Sequence, residues 1–284
     1  MAEAARKKKH NIVFIIAMVV FVASLVGLAV LGVNYLMGQN KYEKISRAVL
    51  PVSDFSNTLD LNSFYVDWDA LWEINPDAAA WIVVPGTSIS YPVVYPPDND
   101  YYVKTDFEGE TNWMVSYGAI FMDASSKRDF SSANTFVFGH NMNNGAMFHD
   151  LELFDDQEFF DNNRTIFILT PTMNYHFSTF ALLHTSANAR IVQPDPATPQ
   201  EQEAYIAERI QDAVVVATQD MPAASEVKHS VVLTTCDNKP SDGRYLLFAS
   251  EIERAVPLPR FASDMYGSTK LDPNSVILDK ENVY

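Results

Sequence analysis

Between Ile12 and Val33 the chain runs 22 residues with only Ser24, Gly27 and Gly32 interrupting an apolar string. Such a string has little choice of conformation. In hydrocarbon every backbone N–H and C=O must find a partner within its own segment, and a helix provides this. At about 1.5 Å rise per residue, roughly 20 apolar residues cross the core of a bilayer. Arg6, Lys7, Lys8 and Lys9 sit on the N-terminal flank. The positive-inside rule keeps that flank in the cytoplasm and puts everything beyond Tyr35 outside. A cleaved signal peptide is the competing reading, but its apolar region is only about 7–15 residues long and ends at an Ala-x-Ala-like site. No such site closes this run. The expectation is a cytoplasmic basic tail over 1–10, an uncleaved single-pass anchor over 11–37 and an extracellular remainder.

That remainder is strongly acidic. The chain carries −16, and its first 40 residues hold four Lys/Arg against one Glu, which leaves −19 outside the membrane. Repulsion from phosphate argues against nucleic acid as a partner. At 48% apolar and 20% charged residues the chain has the composition of a globular protein rather than a disordered one. Its one cysteine, Cys236, cannot form an internal disulfide. A lone exported thiol is a buried inert residue, an intermolecular bridge or a nucleophile. There is no Gly-rich phosphate loop and no Cys/His metal spacing, so neither cofactor nor metal is expected. Asp98, Asp100, Asp155 and Asp156 read as scattered surface acids.

Residues 38–75 read as a linker with N-terminal helices. Lys41 to Leu50 has the pattern of a helix stopped by Pro51, and Trp68 to Ile74 that of a short helix before Asn75-Pro76. Short apolar strands then follow at 81–84, 89–95, 119–122, 134–138, 164–170, 175–183, 231–235 and 244–253. Helical spacing recurs at 147–160 and at 201–216, while 98–110 reads as loop. Many short strands with few helices predict a mostly β fold, an antiparallel-rich barrel or sandwich with added helices, occupying 76–256. The tail over 257–284 has weak pattern.

Cys236 ends the apolar run that starts at Ser230. A turn-rich loop follows and returns Arg244 at the start of the next run. A thiol attacks as thiolate, so a base or a cation must stand near it. Five histidines follow the apolar segment: His140, His149, His176, His184 and His229. His176 and His184 fall inside strands and His149 in an amphipathic helix. His229 lies before the cysteine strand, away from its far end. His140 differs, because it follows Thr-Phe-Val-Phe-Gly and so ends an apolar run, as Cys236 does. If the two runs are neighbouring parallel strands, thiol and imidazole meet on one sheet edge. Residues 141–230 are ample for the crossover that such a pair needs. A hairpin would return Arg244 near the thiol, where a rigid guanidinium that keeps its proton can hold an oxyanion. On the residues alone, a loop histidine capping the next helix and a surface arginine paired with Asp237 or Asp242 stay open.

Gly139-His140-Asn141-Met142 with Asn144-Gly145 and Met147-Phe148, together with Leu233-Thr234-Thr235-Cys236 and Arg244, resembles a sortase. The Gly-His-Asn-Met form is similar to class B. The likeness takes in Asn75-Pro76-Asp77, Trp81-Ile82, Pro85 to Val94 and Gly118 to Asp123, so it covers about residues 65–253. It implies a closed eight-stranded β-barrel with N-terminal helices and a helix in the loop before the Cys strand, where 201–216 lies. It also implies a cysteine transpeptidase in which His140, Cys236 and Arg244 match the family's catalytic His, Cys and Arg. Asn141, Thr234 and Thr235 are carried over as substrate-binding positions. Cys236 would attack the carbonyl of a sorting-signal Thr, His140 would protonate the leaving amine, and Arg244 would hold the oxyanion. An amine of a cell-wall precursor or pilin would then resolve the thioester. The implied partners are surface proteins or pilins with sorting signals, of Asn-Pro-x-Thr type in class B, on a Gram-positive cell membrane. The family's Thr-Leu-x-Thr-Cys begins here with Val232, which removes a hydroxyl.

Two other classes remain on the sequence. A papain-like cysteine hydrolase usually has Cys before His and a polar Asn or Asp as third member, whereas the order here is His then Cys and the third is Arg. A non-catalytic wall-associated module would bury Cys236 and leave three local contexts as coincidence.

Overall fold

A computed structural model of the chain describes residues 2–49, 61–111, 117–186, 191–236 and 243–257. It opens with one unbroken helix, α1 (Ala2–Val49). The apolar run expected to be an anchor and the helix expected from Lys41 are therefore a single rod, since no proline interrupts it before Pro51. Residues 50 and 51, where that helix was expected to stop, lie outside the described residues. Among the described residues α1 is the one helix long and apolar enough to cross a membrane. Its apolar side chains from Val13 to Val33 are exposed. The short helix α2 (Trp68–Ile74) forms as expected, with the Asp67 carboxylate accepting from Ala70 N–H at 3.1 Å.

Among the described residues nine strands follow: β1 (Ala78–Val83), β2 (Ser90–Val94), β3 (Ile120–Met122), β4 (Asn134–Phe138), β5 (Thr165–Leu169), β6 (Asn174–Ser186), β7 (Val215–Val216), β8 (Ser230–Cys236) and β9 (Gly243–Ala255). They form one sheet in the order β5-β1-β2-β3-β4-β8-β9-β6-β7, and β5 also pairs with β6. That last pairing closes eight strands into a barrel and leaves β7 as an appendage on β6. Closure removes the open edges that an eight-stranded sheet would otherwise expose. Two pairs are parallel, β2–β3 and β4–β8.

Three segments differ from the sequence expectation. The stretch 98–110 contains a turn of helix, α3 (Tyr101–Lys104), and the Asp98 carboxylate accepts from Asp100 N–H (2.9 Å) and Tyr101 N–H (2.8 Å). The helix expected over 147–160 splits into a 3-10 segment, His149–Asp155, and α4 (Gln157–Asn162). Asp156 breaks it by adopting an extended backbone and capping α4 through Phe159 N–H at 2.8 Å. The apolar spacing still marked the buried side, since Phe148, Leu151, Phe154 and Phe160 are fully covered. The helix before the cysteine strand, α5 (Pro199–Asp212), ends earlier than expected because Val215–Val216 pairs with β6 instead.

Two apolar clusters make the core. One fills the barrel around Trp81, Ile120, Met122, Phe177 and Leu247. The other lies between α5 and the barrel wall, around Phe136, Phe180, Ile206, Val232 and Phe248. Strand β8 serves both, with Val231 and Leu233 facing the first and Val232 the second. Burial on both faces explains why this strand reads as a continuous apolar run rather than an alternating one. It also accounts for Val232, which is fully covered among phenylalanines where a hydroxyl would need a partner.

Candidate active site

The register between β4 and β8 decides where the candidate residues meet. The ladder runs from Asn134 opposite Ser230 to Phe138 opposite Thr234. Both ends are pinned by side chains. Ser230 Oγ donates to Asn134 Oδ1 at 2.7 Å, and Asn134 exchanges two bonds with buried Gln202 of α5, at 2.8 and 2.9 Å. At the far end Gly139 N–H donates to Thr234 O (3.1 Å) and Thr235 Oγ1 donates to Gly139 O (2.8 Å). The two side-chain pins keep the same offset of 96 residues. Carried one residue further, the same offset would set His140 level with Cys236. A slip by one residue would turn Val232 and Leu233 to the wrong faces, so the packed core opposes it.

On its other side β8 runs antiparallel to β9, with Cys236 and Arg244 as directly opposed Cα partners. Arg244 also opposes Thr185 of β6, so its backbone is held from both sides. The loop 237–242, and with it the pairing of Arg244 with Asp237 or Asp242, lies outside the described residues.

His140 follows β4, and its Nε2 lies 2.7 Å from the Val103 carbonyl of α3. A carbonyl only accepts, so this contact places the ring proton on Nε2. Gly118 packs against the ring with φ +56°. A Cβ there would meet Tyr102 O at 2.7 Å, Val103 O at 2.8 Å and His140 Cδ2 at 3.0 Å. Gly139 is equally tight, since a Cβ there would meet Ile120 Cδ1 at 2.5 Å. After His140 the chain turns back on itself. Phe148 N–H donates to His140 O at 2.8 Å, and Met147, at φ +60°, donates its N–H to the Tyr91 hydroxyl at 3.0 Å. Asn141 is buried beneath this turn. Its carboxamide donates to Glu152 (2.5 Å) and accepts from His149 Nδ1 (2.8 Å).

Beside His140 opens a cleft of about 300 Å³. Its lining includes Gly139, His140, Thr234, Thr235 and Arg244, with Phe121 and Phe138 as apolar floor and Asn99, Asp100 and Val103 on the α3 side. The Thr234 hydroxyl is buried with no hydrogen-bond partner among the described residues. Asn141 is not among the lining residues. Of the other histidines, His184 stacks on Tyr245 at 4.5 Å and His229 lies between Glu251 and Phe130 O. His176 lies beside Phe167, and burial lowers its pKa. Sequence reasoning missed Val103, Gly118 and the Asn141–Glu152–His149 chain. The one available signal was Asp98 placed to cap α3.

A sequence model of the sortase domain matches residues 82–252, more than half of the chain. The chain belongs to the sortase family. It is 26% identical over 230 residues to sortase B of Listeria monocytogenes, covering 77% of this chain and 91% of that protein. To sortase B of Staphylococcus aureus it is 26% identical over 175 residues, covering 62% and 69%. Among solved structures, a Bacillus anthracis protein similar to sortase B superposes with TM-score 0.65 at 26% identity, over 78% of this chain and 98% of that one. A substrate complex of Staphylococcus aureus sortase B superposes with TM-score 0.58 at 26% identity, over 65% and 84%. These likenesses make this sortase one of class B, as the Gly139 to Met142 form implied. Its closed eight-stranded barrel with added helices is the sortase fold, and the family is one of cysteine transpeptidases.

Proposed function

We propose that this sortase is held in the cell membrane by α1, with residues 1–10 in the cytoplasm and the barrel over 76–256 outside. There it cleaves a C-terminal sorting signal after Thr and joins the new carboxyl end to an amine of a cell-wall precursor or pilin. The observation that carries the reading is the meeting of strand ends: Cys236 stands opposite Arg244 and two residues beyond Thr234, as His140 lies two residues beyond its ladder partner Phe138.

In this reading the Cys236 thiolate attacks the Thr carbonyl carbon and a C–S bond forms. The carbonyl π electrons move to oxygen, where the Arg244 guanidinium stabilises them. Collapse breaks the C–N bond, and the protonated His140 gives its proton to the leaving amine. With Nε2–H held by the Val103 carbonyl, Nδ1 is the nitrogen that exchanges this proton. The incoming amine then attacks the thioester, the C–S bond breaks, His140 takes the amine proton, and Cys236 leaves as thiolate. Thr234 and Thr235 are assigned to the peptide on the cleft wall, and the unsatisfied Thr234 hydroxyl supports a polar contact there. Asn141, buried and engaged at both ends of its carboxamide, acts on substrate only through the turn that carries His140.

The test uses the full chain in detergent with a panel of sorting peptides, Asn-Pro-x-Thr forms included, and an amine acceptor. Amide product is expected, reduced at least about a thousandfold in Cys236→Ala. Acid product indifferent to added amine would make the enzyme a hydrolase. Equal product from wild type and Cys236→Ala would overturn the reading.

A further inference from the structure

Beyond its apolar run, α1 stays against the barrel. Tyr42 and Ile45 are buried there. The Tyr42 hydroxyl donates to the Gly118 carbonyl at 2.7 Å and accepts from Phe107 N–H at 3.3 Å, while its ring meets Tyr91 edge-on at 5.5 Å. Lys41, one residue earlier, reaches Asp106 (2.6 Å), Glu108 (2.8 Å) and Glu110 (2.9 Å). Together they grip both ends of the connection between α3 and β3. Those ends are what His140 rests on. Gly118 packs against its ring and close to the Val103 carbonyl that accepts Nε2–H. Ala119 N–H donates to Tyr102 O at 3.0 Å and ties the two ends together. A glycine at φ +56° has no side chain to hold it, so the peptide that follows is oriented by its two bonds, Gly118 O from Tyr42 and Ala119 N–H to Tyr102 O.

We propose that Tyr42, supported by Lys41, is a positioning residue for His140: the turn of α1 that joins the apolar run to the barrel sets the imidazole through Gly118. Its effect on turnover rests on the reading of His140 as the acid–base residue; its effect on the ring does not. Catalytic geometry is then built partly by the segment that leads to the membrane. A barrel cut free of residues 1–49 loses that support.

The experiment uses the full chain, with nitrogen-15-labelled histidine, in detergent micelles. Tyr42→Phe keeps the ring against Tyr91 and removes the hydroxyl. The His140 ring resonances are expected to move, while those of His176 and His184 stay. With peptide and amine, kcat is expected to fall about fivefold, the scale of one lost hydrogen bond, with KM within about twofold. Unmoved His140 resonances overturn the proposal, as do moved resonances with unchanged kcat in an active enzyme. Moved resonances in a chain whose wild type makes no product support the positioning role and sink the transpeptidase reading instead.

Discussion

Cys236 and Arg244 face one another across the β8–β9 ladder as its last registered pair. Directly opposed residues of antiparallel strands are set against each other by the ladder itself, without help from the connecting loop. The backbone that carries the guanidinium is thereby held by the sheet. Arg244→Ala is expected to lower kcat/KM about 100- to 1000-fold, the range for one lost oxyanion donor. Arg244→Lys restores charge but not the planar fork and should recover little of it. Steady-state kinetics decide this, and retention of a third or more of kcat/KM by the alanine variant removes the oxyanion role.

Thr235 ties the end of β8 to the residue before His140 through its hydroxyl on the Gly139 carbonyl, at 2.8 Å. Thr235→Val keeps shape and removes that bond. A stability loss of about 1 kcal/mol in urea denaturation is expected. Turnover should fall through kcat, because His140 loses an anchor. KM should rise as well, since Thr235 also lines the peptide cleft; a rise in KM at constant kcat would remove the anchoring role.

At the other end of β8, Glu251 bonds His229 and, at 2.6 and 2.8 Å, Arg254. Burial alone would raise its pKa, but the bonds from Arg254 and His229 outweigh burial and hold it below the usual carboxylate value. The unfolded chain takes up this proton near pH 4.3. Since the folded value is lower, the stabilisation is fully present above about pH 4.3 and is lost as pH falls through the folded value. Glu251→Gln should therefore cost about 1–2 kcal/mol at pH 7 and flatten the acid limb of the stability curve, leaving kcat within about twofold. An unchanged acid limb in pH-dependent denaturation would count against it.

Much of this arrangement was legible in the residues, for a physical reason. Cys236 and His140 each end a run of apolar residues, and two runs that are buried on both faces pair as parallel neighbours. Arg244 opens the return strand of a hairpin, which is a local signal. The groups that hold His140 carried no such mark. The Val103 carbonyl is a backbone atom present at every position, and Gly118 looks like any turn glycine until Tyr102, Val103 and His140 are packed around it. The split of 147–160 escaped because a 3-10 segment and an α-helix bury nearly the same apolar spacing, and only Asp156 marks the break. Tyr42 falls in the Lys41 to Leu50 stretch, which reads only as a linker helix, and its bond to Gly118 spans 76 residues.

The central claim is that Cys236 carries the peptide as a thioester. Intact-mass spectrometry of the full chain, mixed with a sorting peptide and no amine, tests it most directly. The account predicts an adduct equal to the peptide's N-terminal fragment through its Thr, located on Cys236, discharged by added amine as amide product and absent in Cys236→Ala. Continued turnover of peptide by Cys236→Ala, with no adduct on the wild-type chain, would contradict it.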